Sequence, residues 1–192
     1  MKQRGNTLVA VVLVIGVIAA VGMFMATTYN SFVRLSQEVD RQYAVLEGSL
    51  QRRFDLIPNL VETVKGGMAQ EQQVFGAIAD ARARMAGART IDEKVEASDG
   101  LNSALGRLFV VMEAYPELRS LEAVRDLMAQ LEGTENRINV ERRNFNESVE
   151  RYNVRIKSFP AVLFAASFGY NERPYLRTDP AVHDAPNVNF GG

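Results

Sequence analysis

The chain contains no cysteine. That absence excludes a disulfide scaffold, a thiolate nucleophile, cysteine-based zinc sites and a lipid anchor on a processed cysteine. Histidine occurs once, at His183, in a proline-rich stretch near the C-terminus, which leaves little material for a metal centre or an imidazole base. No P-loop, nucleophile elbow or HExxH pattern is present. Neither charge sign dominates: 22 Lys and Arg face 23 Asp and Glu. Setting Lys2 and Arg4 aside leaves 20 against 23, a slightly acidic body that does not suit nucleic acid. Period-two alternation is missing from residues 31 to 158, so no strand is expected there. There is no internal repeat and no low-complexity tract. These absences predict a protein that is not an enzyme and carries no cofactor.

What the chain does have is one long apolar run. LVAVVLVIGVIAAVGMFMA, from Leu8 to Ala26, holds no charge over 19 residues. A helix needs roughly 20 apolar residues to cross about 30 Å of hydrocarbon, and only a helix satisfies its own backbone there. Lys2 and Arg4 precede the run, and the first basic residue after it is Arg34. The positive-inside bias therefore predicts a cytoplasmic N-terminus and an extracytoplasmic body. A cleaved signal peptide is the competing reading, but the apolar run continues to Ala26 and the helical pattern goes on beyond it. A single-pass signal anchor in the cell membrane is expected, with the body on the periplasmic side. Gly16 and Ala20 make a small-xxx-small pair through which two such helices could approach, a route to a homo-oligomer.

The body reads as helices. Apolar residues recur every three or four positions through Phe32, Leu35, Val39, Tyr43, Leu46, Leu50, Phe54, Ile57, Val61, Val64 and Met68. Further stripes run through Leu101, Leu105, Leu108, Met112 and Tyr115, and through Leu121, Val124, Met128, Leu131, Ile138, Phe145, Val149, Tyr152, Ile156 and Phe159. Pro116 marks one helix end, and Thr90 with Glu93 makes a capping box for a helix start. At Pro58 two readings stay open. Asp55 could cap a new helix, giving a tight break at 54–58, or one helix passes through with a kink. With the break, four helices follow, at about 28–54, 56–86, 91–115 and 118–158. The predicted fold is all-α: an N-terminal transmembrane helix, an elongated antiparallel four-helix up-and-down bundle, and an irregular tail. The domain boundaries follow as 1–27 for the anchor, 28–170 for the bundle and 171–192 for the tail.

Two groups of residues depart from this pattern. Glu135 and Arg142 occupy stripe positions between Leu131, Ile138 and Phe145 where apolar residues are expected. A structural ion-pair network, a ligand-binding polar layer and plain surface exposure are the three explanations. At two helical turns apart, about 10 Å, the two cannot pair with each other. Glu62, Arg82 and Arg107 are the candidate partners. The second group is Val162, Leu163, Phe164 and Phe168, in an uncharged run too short to span a bilayer. The fourth helix outruns the first, so this segment either touches the bilayer interface or closes the base of the core. Arg52-Arg53 reads as a solvated helix end, with contact to anionic lipid or a partner as the alternative. Asn146-Glu147-Ser148 is a sequon in mid-helix.

Tyr29-Asn30, RRFDLIPNLVETVKG (52–66), LNSALGRLFVVMEAYPELR (101–119), LEGTENRINVERRNFNESVERYN (131–153), Phe159-Pro160 and FGY (168–170) occur in the order that resembles the LemA family. The resemblance covers nearly the whole chain. It implies a membrane-anchored helical bundle, widespread in bacteria, one branch of which is associated with magnetosome membranes. It implies no reaction. Gly67 stands where relatives usually carry a bulkier residue. The expected role is a non-enzymatic membrane scaffold or adaptor for protein partners not identifiable from sequence. The alternative is a sensor or small-ligand-binding bundle.

Overall fold

The computed structural model describes residues 2–176, with side-chain surroundings from residue 11 onward. The expectations for His183 and for the tail beyond 176 lie outside the described residues. Among the described residues the chain is helical and has no strand. Six helices follow one another: α1 (Lys2–Lys65), α2 (Gln72–Gly87), α3 (Ile91–Val111), α4 (Pro116–Arg119), α5 (Glu122–Lys157) and α6 (Val162–Ala165). Short 3₁₀ turns at Met112–Ala114 and Ala166–Phe168 continue α3 and α6.

At Pro58 the structure takes the second of the two readings, one helix passing through, and overturns the break at 54–58. Helix α1 runs unbroken from the apolar segment to Lys65, with Pro58 inside it. A proline in a helix interior costs about 3 kcal/mol. Around it Ile57, Leu60 and Val64 are fully buried, each worth about 1.5–3 kcal/mol of burial. Keeping all three in phase outweighs the lost backbone bond. Asp55 is no cap; it is exposed in mid-helix and accepts a hydrogen bond from Gln51 Nε2 at 2.8 Å. The single helix expected over 56–86 is instead divided, because Gly66-Gly67 ends α1 and α2 starts only at Gln72. The helix expected from 118 starts at Glu122, after the one-turn α4. The Thr90–Glu93 capping box forms as read, with Thr90 accepting from the Glu93 amide and Glu93 from the Thr90 amide.

Backbone proximity groups the described chain into two units. One comprises the chain up to Gln42 with Glu147–Pro174. It buries Phe32 and Val39 of α1, and Val149, Tyr152 and Ile156 of α5. The other comprises Tyr43–Asn146 with Tyr175 and Leu176. Its core joins Ile57, Leu60 and Val64 of α1, Ile78 and Ala81 of α2, Leu101, Leu105 and Leu108 of α3, and Val124 and Leu131 of α5.

The N-terminal part of α1 differs from everything else. From Val11 to Phe24 its large apolar side chains are exposed, Leu13 at 64%, Ile18 at 65% and Met23 at 72%. The segment has a mean hydropathy of 2.4 and is 6% buried, long and apolar enough to cross a membrane. An apolar helix with no covered face is unlike the core helix of a water-soluble fold. Burial begins at Thr28 and Phe32, both fully covered.

Candidate functional site

In the second unit three helices contribute to a charged layer. Arg53 reaches from α1 and donates through Nη1 to Glu135 Oε2 of α5. Asn102 of α3 donates to the same oxygen at 2.7 Å, and Asn139, one turn along α5, donates to Glu135 Oε1 at 3.1 Å. Two turns from Glu135, Arg142 Nη1 lies 3.3 Å from Asp99 Oδ1 on α3. Glu135 and Arg142 thus face opposite charges on other helices, not each other. The Arg53 side chain is 6% exposed and that of Glu135 30%. Burial pushes the Arg53 guanidinium down to about 10, against the opposing pull of Asp99. It therefore remains charged at neutral pH.

The partners differ from the expected ones. Glu62 and Arg107 are exposed. Arg82 stacks over the Phe54 ring at 4.6 Å and belongs to a different contact. Arg53 is not the solvated helix end read from the sequence; it is buried, while Arg52 beside it is exposed. The signal was phase. Leu46, Leu50, Arg53, Ile57, Leu60 and Val64 are all buried at spacings of three and four, and the stripe drawn through Phe54 misses Arg53 by one residue.

Beside this layer lies a groove of about 680 Å³. Leu105, Phe109, Met128 and Leu131 supply apolar walls, Arg53, Asn102 and Glu135 reach it, and Arg119, Arg125 and Glu132 add further charge to the lining. Arg53 Nε and Asn102 Oδ1 are buried with no hydrogen-bond partner among the described residues. A groove of this kind can bury an apolar body and orient it with a few polar contacts. Among the described residues no group of three or more His, Asp or Glu could hold a metal ion.

A second arrangement had no counterpart in the sequence reading. Asn153 of α5 donates to the Arg173 carbonyl at 2.8 Å and accepts from the Arg173 amide at 3.0 Å. Asn146 does the same for Leu176, at 3.2 and 2.9 Å. Each asparagine pairs with extended backbone as a neighbouring strand would. The sequon asparagine Asn146 is therefore fully engaged through both amide atoms. Arg173 in turn donates to Asp40 at 2.5 Å and to Ser36 at 2.9 Å, with its guanidinium 5.3 Å from the Tyr152 ring centre. The available signal was a pair of asparagines seven residues apart, inside a helix that disfavours them.

In the apolar run after α5, Val162 and Leu163 are exposed, at 45% and 63%. They do not close a core, and Phe159, expected to end the apolar stripe of the last helix, is 81% exposed because α5 stops at Lys157. Phe164 and Phe168 are half-buried and stacked on each other, and Phe168 meets Tyr29 edge-on at 5.4 Å.

A sequence profile described as the LemA family matches residues 42–190. Magnetosome protein MamQ 2 and Magnetosome protein MamQ 1 of Paramagnetospirillum magneticum are each 27% identical to this chain over 209 residues. Magnetosome protein MamQ of Magnetospirillum gryphiswaldense is 26% identical over 208. Each alignment covers 94% of this chain and 76% of the relative. With the profile spanning most of its length, the chain belongs to the LemA family.

Proposed function

We infer that this protein is a membrane-anchored, non-enzymatic scaffold or adaptor that presents a helical surface to protein partners. One observation carries the reading. The helix whose apolar residues Leu13, Ile18 and Met23 are exposed continues without a break to supply the buried Ile57, Leu60 and Val64. A bilayer is the solvent that would cover the first set. Lys2 and Arg4 favour a cytoplasmic N-terminus and an extracytoplasmic body. The body's core draws on α1, α2, α3 and α5, which supports an antiparallel four-helix bundle, since short connections favour antiparallel neighbours. The relatives are named as magnetosome proteins, and that name states no reaction. Small residues at Gly16 and Ala20 make self-association in the membrane part of the same reading.

The groove supports a second reading, a sensor or binding module. Its apolar walls and the buried, unsatisfied Asn102 Oδ1 suit a small amphipathic ligand as well as a partner's side chains. Photocrosslinking in native membranes from Phe109 and Met128 separates the two. Protein adducts from both positions support the adaptor. If no protein adducts form and low-molecular-weight extracts raise the melting temperature, the binding-module reading takes its place. A C-terminal reporter active only in the cytoplasm tests the topology, and strong activity overturns it.

A further inference from the structure

The segment joining α5 to the aromatic cluster at Tyr170 exposes three large apolar side chains, Phe159 at 81%, Val162 at 45% and Leu163 at 63%. Val162 and Leu163 lie on the short helix α6 and Phe159 in the turn that leads into it, whereas Ala161 and Ala165 between and after them are buried. From Ser158 to Gly169 the chain holds no charge, and Lys157 and Glu172 close the stretch as an ion pair at 2.5 Å. Three exposed apolar residues in so short a stretch form a patch that calls for a partner surface.

Position identifies the partner. Arg155 donates to Ser31 at 3.2 Å, and Arg151 acts electrostatically on Glu38. As residue numbers rise along α5, those of the facing residues on α1 fall. α5 ends at Lys157, just past the level of Ser31, so Phe159 follows the helix end near the residues of α1 that come directly after the apolar run ending at Ala26. Tyr29 meets both Phe168 and Tyr170, at 5.4 and 6.1 Å, and Tyr170 meets Phe32 at 5.2 Å. Tyrosines of this kind belong at the boundary between headgroups and acyl chains.

We propose that Phe159, Val162 and Leu163 form an interfacial wedge that inserts into the bilayer beside the exit of α1. Tyr29, three residues after the apolar run, packs on Phe168 and Tyr170 of the same segment, so the patch lies near the exit of the anchor, and an insertion of roughly 5–10 Å reaches the headgroup–acyl boundary without spanning. The wedge gives the body a second attachment point, which would fix its orientation about the axis of α1. The proposal rests on the reading of α1 as a membrane anchor.

The cysteine-free chain allows a direct test. Full-length protein with one environment-sensitive fluorophore is reconstituted in phosphatidylcholine–phosphatidylglycerol vesicles, labelled through Phe159→Cys, Leu163→Cys, Ile15→Cys or Val110→Cys. Quenching by shallow nitroxide lipids is compared with quenching by iodide. The expected result is blue-shifted, lipid-quenched emission at 159, 163 and 15, and iodide quenching at Val110, which is 68% exposed in the other unit. Iodide quenching at 159 and 163, with 15 still in lipid, overturns the wedge alone. Water access at 15 overturns the anchor and the wedge with it. Protection from both quenchers at 159 and 163, with energy transfer between differently labelled copies, overturns the lipid contact in favour of a second copy of the chain.

Discussion

Arg53 on α1 and Glu135 on α5, 82 residues apart in the chain, form a charge pair in which the arginine side chain is almost wholly covered. Removing Glu135 takes away that guanidinium's hydrogen-bonded counter-charge and leaves it only the pull of Asp99. Breaking a buried pair in this way costs about 3–5 kcal/mol. Because Glu135 keeps 30% of its side chain accessible, Glu135→Ala should fall at the lower end, about 3 kcal/mol. Arg53→Met combined with Glu135→Leu should recover most of the loss, since a well-packed apolar pair avoids desolvating either charge. Thermal unfolding of the parent and these two variants in detergent checks both expectations. A melting temperature unchanged by Glu135→Ala would refute a stabilising role for the pair.

The helical class, the apolar run, the capping box at Thr90 and the polar interruptions at Glu135 and Arg142 were legible from spacing alone. What escaped was decided by tertiary packing. Pro58 signals a break locally, but the buried Ile57, Leu60 and Val64 hold the helix through it. The charged partners of Glu135 and Arg142 sit on other helices, and periodicity within α5 contains no information about them. Arg53 looked exposed because long cationic side chains usually are, and only a stripe shifted by one residue reveals it. The paired roles of Asn146 and Asn153 depend on an extended segment some twenty to thirty residues downstream.

Asn153→Ala should release the extended segment at Arg173. The substitution orphans both the amide and the carbonyl of Arg173, now bonded to Asn153 at 3.0 and 2.8 Å. The segment is only half-buried, so water can compensate in part, and a loss of about 1–2 kcal/mol is expected. Hydrogen exchange at the Arg173 amide should accelerate. Asn153→Asp keeps the acceptor and loses the donor, so it should protect that amide while weakening the carbonyl contact. Unchanged exchange in Asn153→Ala would show that the segment is held by other means.

Gly67 should resist substitution because of Leu118. A Cβ at this position would lie 2.7 Å from both δ-carbons of Leu118 and 3.0 Å from its γ-carbon. Gly67→Ala must therefore displace the leucine, at a cost of about 1 kcal/mol or more. Leu118→Ala in the same chain should remove the clash, making the double variant more stable than the two single losses predict. Additive losses in a double-mutant cycle would mean that Leu118 already moves aside.

Acid stability should depend on two carboxylates. The Glu93 carboxyl lies below its usual range because it accepts from the amides of Arg89 and Thr90, at 2.7 and 3.1 Å. Glu38 is lowered by hydrogen bonds from Arg41 and Gln42, with burial opposing. A carboxyl whose folded value is depressed contributes stability above its unfolded value, and that contribution is lost as pH falls through the folded value. Both contributions are therefore intact at neutral pH and disappear below about pH 4.5, the ordinary value for glutamate. Glu93→Gln should lower the melting temperature at pH 7. Its deficit against the parent should shrink as the pH is taken down, because the protonated parent then resembles the amide. Thr90→Ala removes the other half of the box at a cost of about 1 kcal/mol, and this loss should persist in acid because the hydroxyl does not titrate. A Glu93→Gln deficit of constant size from pH 7 to pH 3 would show that the carboxylate's charge plays no part in starting α3.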